Sequence, residues 1–225
     1  MHVVVTGANR GIGLELARQL RARGDTVDAG VRDPAHAPEL HAIAGVRVHR
    51  VDVTDQATVD ALATALDGAA IDLVINNAGV YGGSRQSLRG VDFADALHTF
   101  DINALGALRV SLALLPHVRR GQGKKLVHVT SGMGSIEDNG TGGFYAYRMS
   151  KAALNMMSRS LAVDLRPEGI ASYVINPGWV QTDMGGAGAP TPVDVAVRAI
   201  LREIDKATLA DSGAFLDYKG GRYPW

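Results

Sequence analysis

Seven short runs of β-branched and apolar residues, spaced by turns and helical patterns, organise this chain almost from end to end. They occupy residues 2–7, 26–32, 46–53, 72–79, 125–131, 171–178 and 213–218. In the segment GIGLELARQLRARG after the first run, Ile12, Leu16 and Leu20 share one face, Glu15, Arg18 and Arg21 lie away from it, and Gly24 marks the stop. Further helical patterns fall at about 56–67, 92–120, 147–166 and 193–206. Strands separated by helices pair in parallel through right-handed crossovers, which covers both sheet faces with helices. The expected architecture is α/β: one doubly wound parallel sheet of about seven strands, in a single domain spanning residues 1–225. A chain of 225 residues buries a sizeable core without splitting, and no repeat, low-complexity tract or linker interrupts it.

Composition excludes several function classes. Acidic and basic residues balance at 23 each with no basic run, which argues against a nucleic-acid partner. Cysteine is absent, so disulfides, zinc thiolate sites and cysteine nucleophiles are ruled out, in keeping with a reducing cytoplasm. No apolar run approaches the roughly 18 to 20 residues of a membrane helix. The start runs straight into VVVTGANRGIG without the pattern of a secretory leader, so a cytoplasmic protein with no membrane association is expected. The seven histidines lack metal-ligand spacing: His128 reads as a strand residue, His36 and His41 as solvated, and no metal is expected.

TGANRGIG joins the first strand to the first helix and places glycines at 7, 11 and 13. Side chains there would obstruct a tight turn, the approach of a diphosphate to backbone amides, and close helix packing. The spacing is G-x-x-x-G-x-G rather than the commoner G-x-G-x-x-G, but the preceding strand and following helix stand where phosphate binding needs them. A purely structural turn is the alternative.

The end of the second strand distinguishes the two nicotinamide dinucleotides, because a carboxylate there accepts from the ribose 2′-hydroxyl and repels a 2′-phosphate. Here Val31 stands where that carboxylate is expected, Arg32 follows it, and Arg10 lies in the glycine turn. Two guanidiniums without a well-placed acid favour NADP(H) over NAD(H), with Asp28 and Asp33 expected to stay clear of the ribose. A solvated loop arginine is the other reading of Arg32. At the end of the third strand, Asp52 is suited to accept from an adenine amino group, with Val53 beside the ring. In NNAG, residues 76–79, Asn76 and Asn77 offer amides to hold the sheet edge, and Gly79 lets backbone approach a cofactor. The irregular segments 81–90, 131–143 and 178–192 all follow carboxyl ends of strands, where ligands of such sheets bind.

In GFYAYRMSK, residues 143–151, Tyr147 lies four positions before Lys151 at the start of a helical pattern continued by Leu154, Leu161 and Leu165. The two therefore share a face, and Tyr145 has no such partner. An ammonium beside a phenol favours the phenolate. Lowering a tyrosine from about 10 to near 7 takes about 4 kcal/mol, more than one screened lysine supplies. A second positive charge or a dry pocket is required, and an oxidised nicotinamide ring would provide such a charge. A packing tyrosine beside a solvated lysine is the plain alternative.

With TGANRGIG, NNAG, Ser131, YRMSK and NPGWVQT in this order, the chain resembles the short-chain dehydrogenase/reductase family over essentially its whole length. GVRDP, YRMSKAALNM and FLDYKGGRYPW resemble most the C-factor and carbonyl-reductase-like group. The resemblance implies a Rossmann fold and an NADP(H)-dependent oxidoreductase that transfers a hydride between nicotinamide C4 and a carbonyl or alcohol substrate. Tyr147 is then the general acid in reduction and the general base in oxidation. Lys151 lowers its pKa and bonds the nicotinamide ribose, Ser131 holds the substrate oxygen, and Asn103 keeps a water in a proton relay with Lys151. Cofactor contacts are implied from Gly7, Asn9, Arg10, Gly11, Ile12 and Gly13, from Arg32, Asp52 and Val53, and from Asn77, Ala78 and Gly79. Tyr147, Lys151, Pro177, Gly178, Val180 and Thr182 complete them. From the residues alone, Ser131 reads equally as a turn hydroxyl and Asn103 as a helix-kinking amide.

Two departures from the family pattern stand out. The loop between Ser131 and Tyr147 is enlarged, reshaping one pocket wall, and the segment after Thr182 is short and glycine-rich, which implies a more open site. Tyr81, Met133, Phe144, Tyr145, Trp179 and Met184 are the expected lining. A non-catalytic dinucleotide-binding regulator or C-factor-like signalling protein is the alternative function, and the intact set of Asn103, Ser131, Tyr147 and Lys151 argues against it. An epimerase or dehydratase would need an appended substrate domain, for which there is no room. Apolar residues on the helices at 92–120 and 147–166 imply a homodimer or homotetramer.

Overall fold

The structure is a computed structural model that describes all 225 residues. The chain begins with β1 (His2–Thr6), α1 (Gly11–Ala22), β2 (Thr26–Val31), α2 (Pro38–His41), β3 (Val46–Arg50), α3 (Gln56–Ala65) and β4 (Leu73–Asn76). A small hairpin, β5 (Gln86–Ser87) and β6 (Gly90–Val91), precedes α4 (Phe93–Phe100), a π-turn (Asp101–Leu105) and α5 (Gly106–Arg120). Then come β7 (Lys125–Val129), α6 (Tyr145–Leu165), β8 (Ala171–Asn176), α7 (Val193–Lys206) and β9 (Phe215–Asp217).

Seven strands form one parallel sheet in the order β3-β2-β1-β4-β7-β8-β9. The chain winds outward from β1 to β3, returns to the other side of β1 at β4, and winds outward again. The reversal between β1 and β4 sends neighbouring connections to opposite faces and opens a crevice past their carboxyl ends. Alternate residues of each strand feed two cores. Val3, Val5, Val27, Ala29 and Ile75 pack with residues of α1 and α7, whereas Val4, Val74 and Leu126 pack under α3, α5 and α6. Because both faces are covered, the central strands read as continuous apolar runs. Leu16 and Leu114 are fully buried, and truncating either to alanine costs about 2–5 kcal/mol.

All seven expected strands form, and each is shorter than its apolar run. β3 stops at Arg50: the Val51 amide still donates to the Val31 carbonyl at 2.7 Å, after which Asp52 turns the chain by accepting from the Thr54 amide at 3.0 Å. The continuous helical pattern at 92–120 is corrected to two helices joined by a π-turn. Asn103 sits in that turn, its Oδ1 accepting from the Val80 amide and its Nδ2 donating to the Val80 carbonyl, both at 2.8 Å. A wide turn inserts an extra residue without breaking the run of apolar side chains, so periodicity does not reveal it. The hairpin β5–β6 was also missed, because two-residue strands carry no period.

The segment after β9 straps the enlarged loop. The Tyr223 hydroxyl donates to Asp138 Oδ2 at 2.6 Å, and the Trp225 carbonyl accepts from the Ser135 hydroxyl at 3.0 Å and the Glu137 amide at 2.7 Å. No helix is long and apolar enough to cross a membrane.

Candidate active site

The crevice is built where β1 and β4 end. Asn77 Nδ2 donates to the carbonyls of Thr6 at 3.0 Å and Gly7 at 3.1 Å, and the Thr6 hydroxyl accepts from the amides of Asn77 and Ala78. These bonds press the glycine turn against the NNAG segment. Gly7 has φ +65°, and a Cβ there would stand 2.7 Å from Ala78 Cα; one on Gly13 would stand 2.2 Å from the Gly7 carbonyl oxygen. α1 starts without a side-chain cap, so its first amides remain free to meet an anion.

A cleft of about 670 Å³ runs across this point. Gly7, Asn9, Arg10, Gly11 and Ile12 form one wall, with Asn77, Ala78 and Gly79 opposite; Arg32, Asp52 and Val53 lie at one end, and Tyr147, Lys151, Pro177 and Thr182 at the other. Gly13, Gly178 and Val180 do not line it. Gly13 packs on Gly7, a Cβ on Gly178 would meet the Tyr218 ring at 2.5 Å, and Val180 is buried in a bridge to Thr191. Among the expected pocket aromatics and methionines, only Met184 lines this cleft.

At the Arg32 end the two guanidiniums differ: Arg10 Nη1 donates to Asp183 Oδ2 at 3.0 Å, whereas Arg32 has no ion-pair partner. Asp33, expected to stay clear, lines the cleft together with His36. The Asp33 carboxylate caps the next turn through the Ala35 amide and stands 2.6 Å from His36 Nδ1; the imidazole holds that carboxyl below its ordinary range. Asp52 is likewise held low: burial opposes this, but the Thr54 hydroxyl and amide outweigh it, and the charge of Arg32 adds to them. Asp28 does stay away, fully buried between His2, Arg47 and His49.

At the other end Tyr147 and Lys151 are both buried. Lys151 Nζ donates to the Val129 carbonyl at 2.9 Å and stands 5.9 Å from the centre of the Tyr147 ring. Burial pushes the ammonium down to about 8. Burial also pushes the phenol up to about 12, with the Ser131 hydroxyl pulling the other way. Lys151 alone therefore does not bring the phenol down: away from water the cost of charging it is the larger effect, in keeping with the expectation that a second positive charge is required. Ser131 accepts from the Met133 amide at 3.1 Å and caps a short turn, so it is both turn hydroxyl and neighbour of the phenol. Asn103 Nδ2 also donates to the Ser150 hydroxyl at 2.9 Å, so with its two bonds to Val80 the amide is fully engaged. The ring of Tyr81 lies 4.7 Å from that of Tyr147 and 5.7 Å from that of Phe144.

Several cleft residues were missed in the sequence. Val51, Val80, Ile102, Val129 and Thr130 flank recognised motifs, and adjacency was the only signal. Asp183, also in the cleft, carried none. Nor did Gln86, which lies outside the cleft and reaches the first turn of α6 from the β5 hairpin. His128 is a strand residue as expected, between Asn76 Nδ2 and the Ser172 hydroxyl at 3.2 Å each; burial and the charge of Lys151 keep it neutral, at about 3.

Fold and cleft together define a dinucleotide-binding protein of the doubly wound class. A model of the short chain dehydrogenase family matches residues 1–191, and the chain belongs to that family of oxidoreductases. C-signal of Myxococcus xanthus is 53% identical over 165 residues, covering 73% of this chain and 99% of that protein. Carbonyl reductase Sniffer of D. melanogaster superposes with a TM-score of 0.93 at 30% identity, over 100% of this chain and 99% of that one. The NADPH-bound carbonyl reductase from chicken fatty liver also gives 0.93, at 33% identity, over 100% of this chain and 98% of that one.

Proposed function

We propose that the chain is an NADP(H)-dependent reductase of ketones or aldehydes, reversible to alcohol oxidation, in one domain of residues 1–225 that binds cofactor and carries the chemistry. The observation behind it is the pairing of ends in one cleft: buried Tyr147 and Lys151 at one, an unpaired Arg32 at the other. The residues fit a dinucleotide. A flat glycine wall and uncapped helix amides suit the diphosphate, Asp52 and Val53 the adenine, Arg32 a 2′-phosphate, and Lys151 with Pro177 and Thr182 the nicotinamide half. The likeness to a carbonyl reductase with NADPH bound supports the phosphorylated cofactor.

When bound, the cofactor supplies the hydride at nicotinamide C4 and, oxidised, a positive ring. The protein does the rest. The hydroxyls of Ser131 and Tyr147 hold the substrate oxygen, and Tyr147 gives it a proton in reduction and takes one in oxidation. Lys151, charged below about 8, stabilises the phenolate left behind and bonds the ribose. Asn103 joins the Val80 segment to α6 through its engaged side chain, and is assigned to keep a water in a proton relay with Lys151.

The partner is a small carbonyl or alcohol compound, with no nucleic acid and no membrane, in the cytoplasm. Leu97, Leu112, Met156 and Val163 expose an apolar face on α4, α5 and α6, and a homodimer or homotetramer covers it. The 53% identity to C-signal favours a second reading, a dinucleotide-binding signalling protein. A panel of ketones, aldehydes and alcohols, followed by nicotinamide absorbance with NADPH and NADH in parallel, separates the two. Turnover preferring NADPH supports the reductase; tight NADPH binding with no oxidation across the panel supports the signalling protein.

A further inference from the structure

α6 begins without a cap of its own. Phe144 at its N-cap position has φ +49°, in the left-handed region, and its side chain bonds nothing. First-turn amides lack partners inside their helix, and the Tyr147 amide is one of them. Its partner is Oε1 of Gln86, 61 positions earlier, at 2.9 Å. The nitrogen of the same side chain donates to the carbonyls of Tyr81 at 2.9 Å and Gly83 at 2.7 Å. Gln86 is only 4% exposed, and its loss removes the partner of three backbone groups, of which the Tyr147 amide is buried and costly to leave unpaired, whereas Gly83 is exposed. Gln86 is itself held in place. It pairs with Val91 across the hairpin, and Asp95 Oδ2 accepts from the Gly83 amide at 2.7 Å beside it.

We infer that Gln86 is a positioning residue for Tyr147: its amide clamps the 81–83 segment to the first turn of α6 and so sets where the phenol hydroxyl stands. Both constraints on the phenol run through this side chain, since the clamp fixes the start of the helix and also brings the Tyr81 ring to 4.7 Å from that of Tyr147. The role rests on the assignment of Tyr147 as acid and base. A proton donor that shares a substrate oxygen with Ser131 tolerates little displacement, because a misplacement of about 1 Å costs about a hundredfold in rate.

Gln86→Leu removes all three bonds at similar bulk, and Gln86→Glu keeps the acceptor for Tyr147 while losing both donations. Each is made in the full chain. The measurements are the NADPH dissociation constant, kcat and KM with 4-nitrobenzaldehyde, and amide hydrogen exchange. For Gln86→Leu we expect kcat to fall by about ten- to a hundredfold, with NADPH affinity and KM within about twofold. Exchange accelerates at residues 145–149 and not in the central strands. In a Tyr147→Phe background the same substitution produces no further loss of kcat, which a merely structural role would not predict. Wild-type kcat, an additive loss in that background, or unchanged exchange at 145–149 overturns the inference. Should Gln86→Leu fail to fold, Gln86→Glu, which keeps the bond to the Tyr147 amide, is read by kcat and by its combination with Tyr147→Phe: wild-type kcat or an additive loss overturns the inference. The two assignments separate: full turnover by Tyr147→Phe removes the acid-base reading, whereas the exchange measurement tests the clamp without turnover.

Discussion

Lys151 donates to the main-chain carbonyl of Val129 at 2.9 Å, not to the phenol of Tyr147 one turn before it. Four-residue spacing puts the two on one helix face, but the dielectric around them comes from everything packed on that face. Enclosure favours the uncharged form of each, moving the phenol to about 12 and the ammonium to about 8. A working phenolate therefore needs a positive charge beyond Lys151, which the proposed cofactor ring supplies.

Tyr147→Phe removes the hydroxyl and keeps the ring beside Tyr81. Carbonyl reduction is expected to fall by about a hundred- to ten-thousandfold, with NADPH affinity by fluorescence titration within about twofold. Unchanged turnover removes the proposed mechanism.

Arg32→Ser takes away the one guanidinium at the adenine end without an ion-pair partner. A charge-assisted bond to phosphate contributes about 1.5–3 kcal/mol, so NADPH should bind about ten- to a hundredfold more weakly while NADH changes little. Equal weakening of both cofactors would show that Arg32 does not read the 2′-phosphate.

Gly13→Ala tests the packing of the glycine turn. The new Cβ would lie 2.2 Å from the Gly7 carbonyl oxygen and 2.5 Å from Asn77 Nδ2, contacts that only a backbone shift relieves. Overpacking of this kind costs about 1–3 kcal/mol, so the urea midpoint should drop and NADPH affinity with it. A midpoint equal to that of the parent chain would mean the turn yields freely.

Asp28 gives the protein an acid limb. Burial alone would raise its carboxyl, but donation from His49, Arg47 and His2 outweighs this and holds it at about 2, against an ordinary 3.8. A carboxyl lowered by folding adds stability that is complete above the ordinary value and is lost as pH falls through about 2. The group contributes about 2 kcal/mol in that way. Denaturant titrations down this window should show a shallower loss for Asp28→Asn than for the parent, on a lower neutral-pH baseline. Parallel acid limbs would exclude Asp28 as the group responsible.

Leu97 on α4 and Met156 on α6 are 72% and 66% exposed. Light scattering should give a dimer or tetramer for the parent and a smaller species for Leu97→Lys combined with Met156→Lys, with thermal stability of the fold kept. A monomeric parent rules out the proposed assembly.

Much of the fold was legible because the signals were local. Short apolar runs between helical patterns marked all seven strands of the parallel sheet. Glycine spacing between a strand and a helix marked the turn at 7–13, and the four-residue interval marked Tyr147 and Lys151 as neighbours. What lay outside local patterns was not legible. The π-turn at Asn103 keeps an apolar run intact while shifting its phase, and the two-residue strands at Gln86 and Gly90 have no period.

By itself the sequence determined which segments form strands and which residues meet along one helix face, since both follow from chain geometry within a few residues. Only the tertiary structure decided that Asp183 takes Arg10, that Asp33 turns into the cleft, and that Gln86 caps the helix of Tyr147. It also decided that the phenol stands near 12, because ion pairs across the chain and the exclusion of water depend on how distant segments pack.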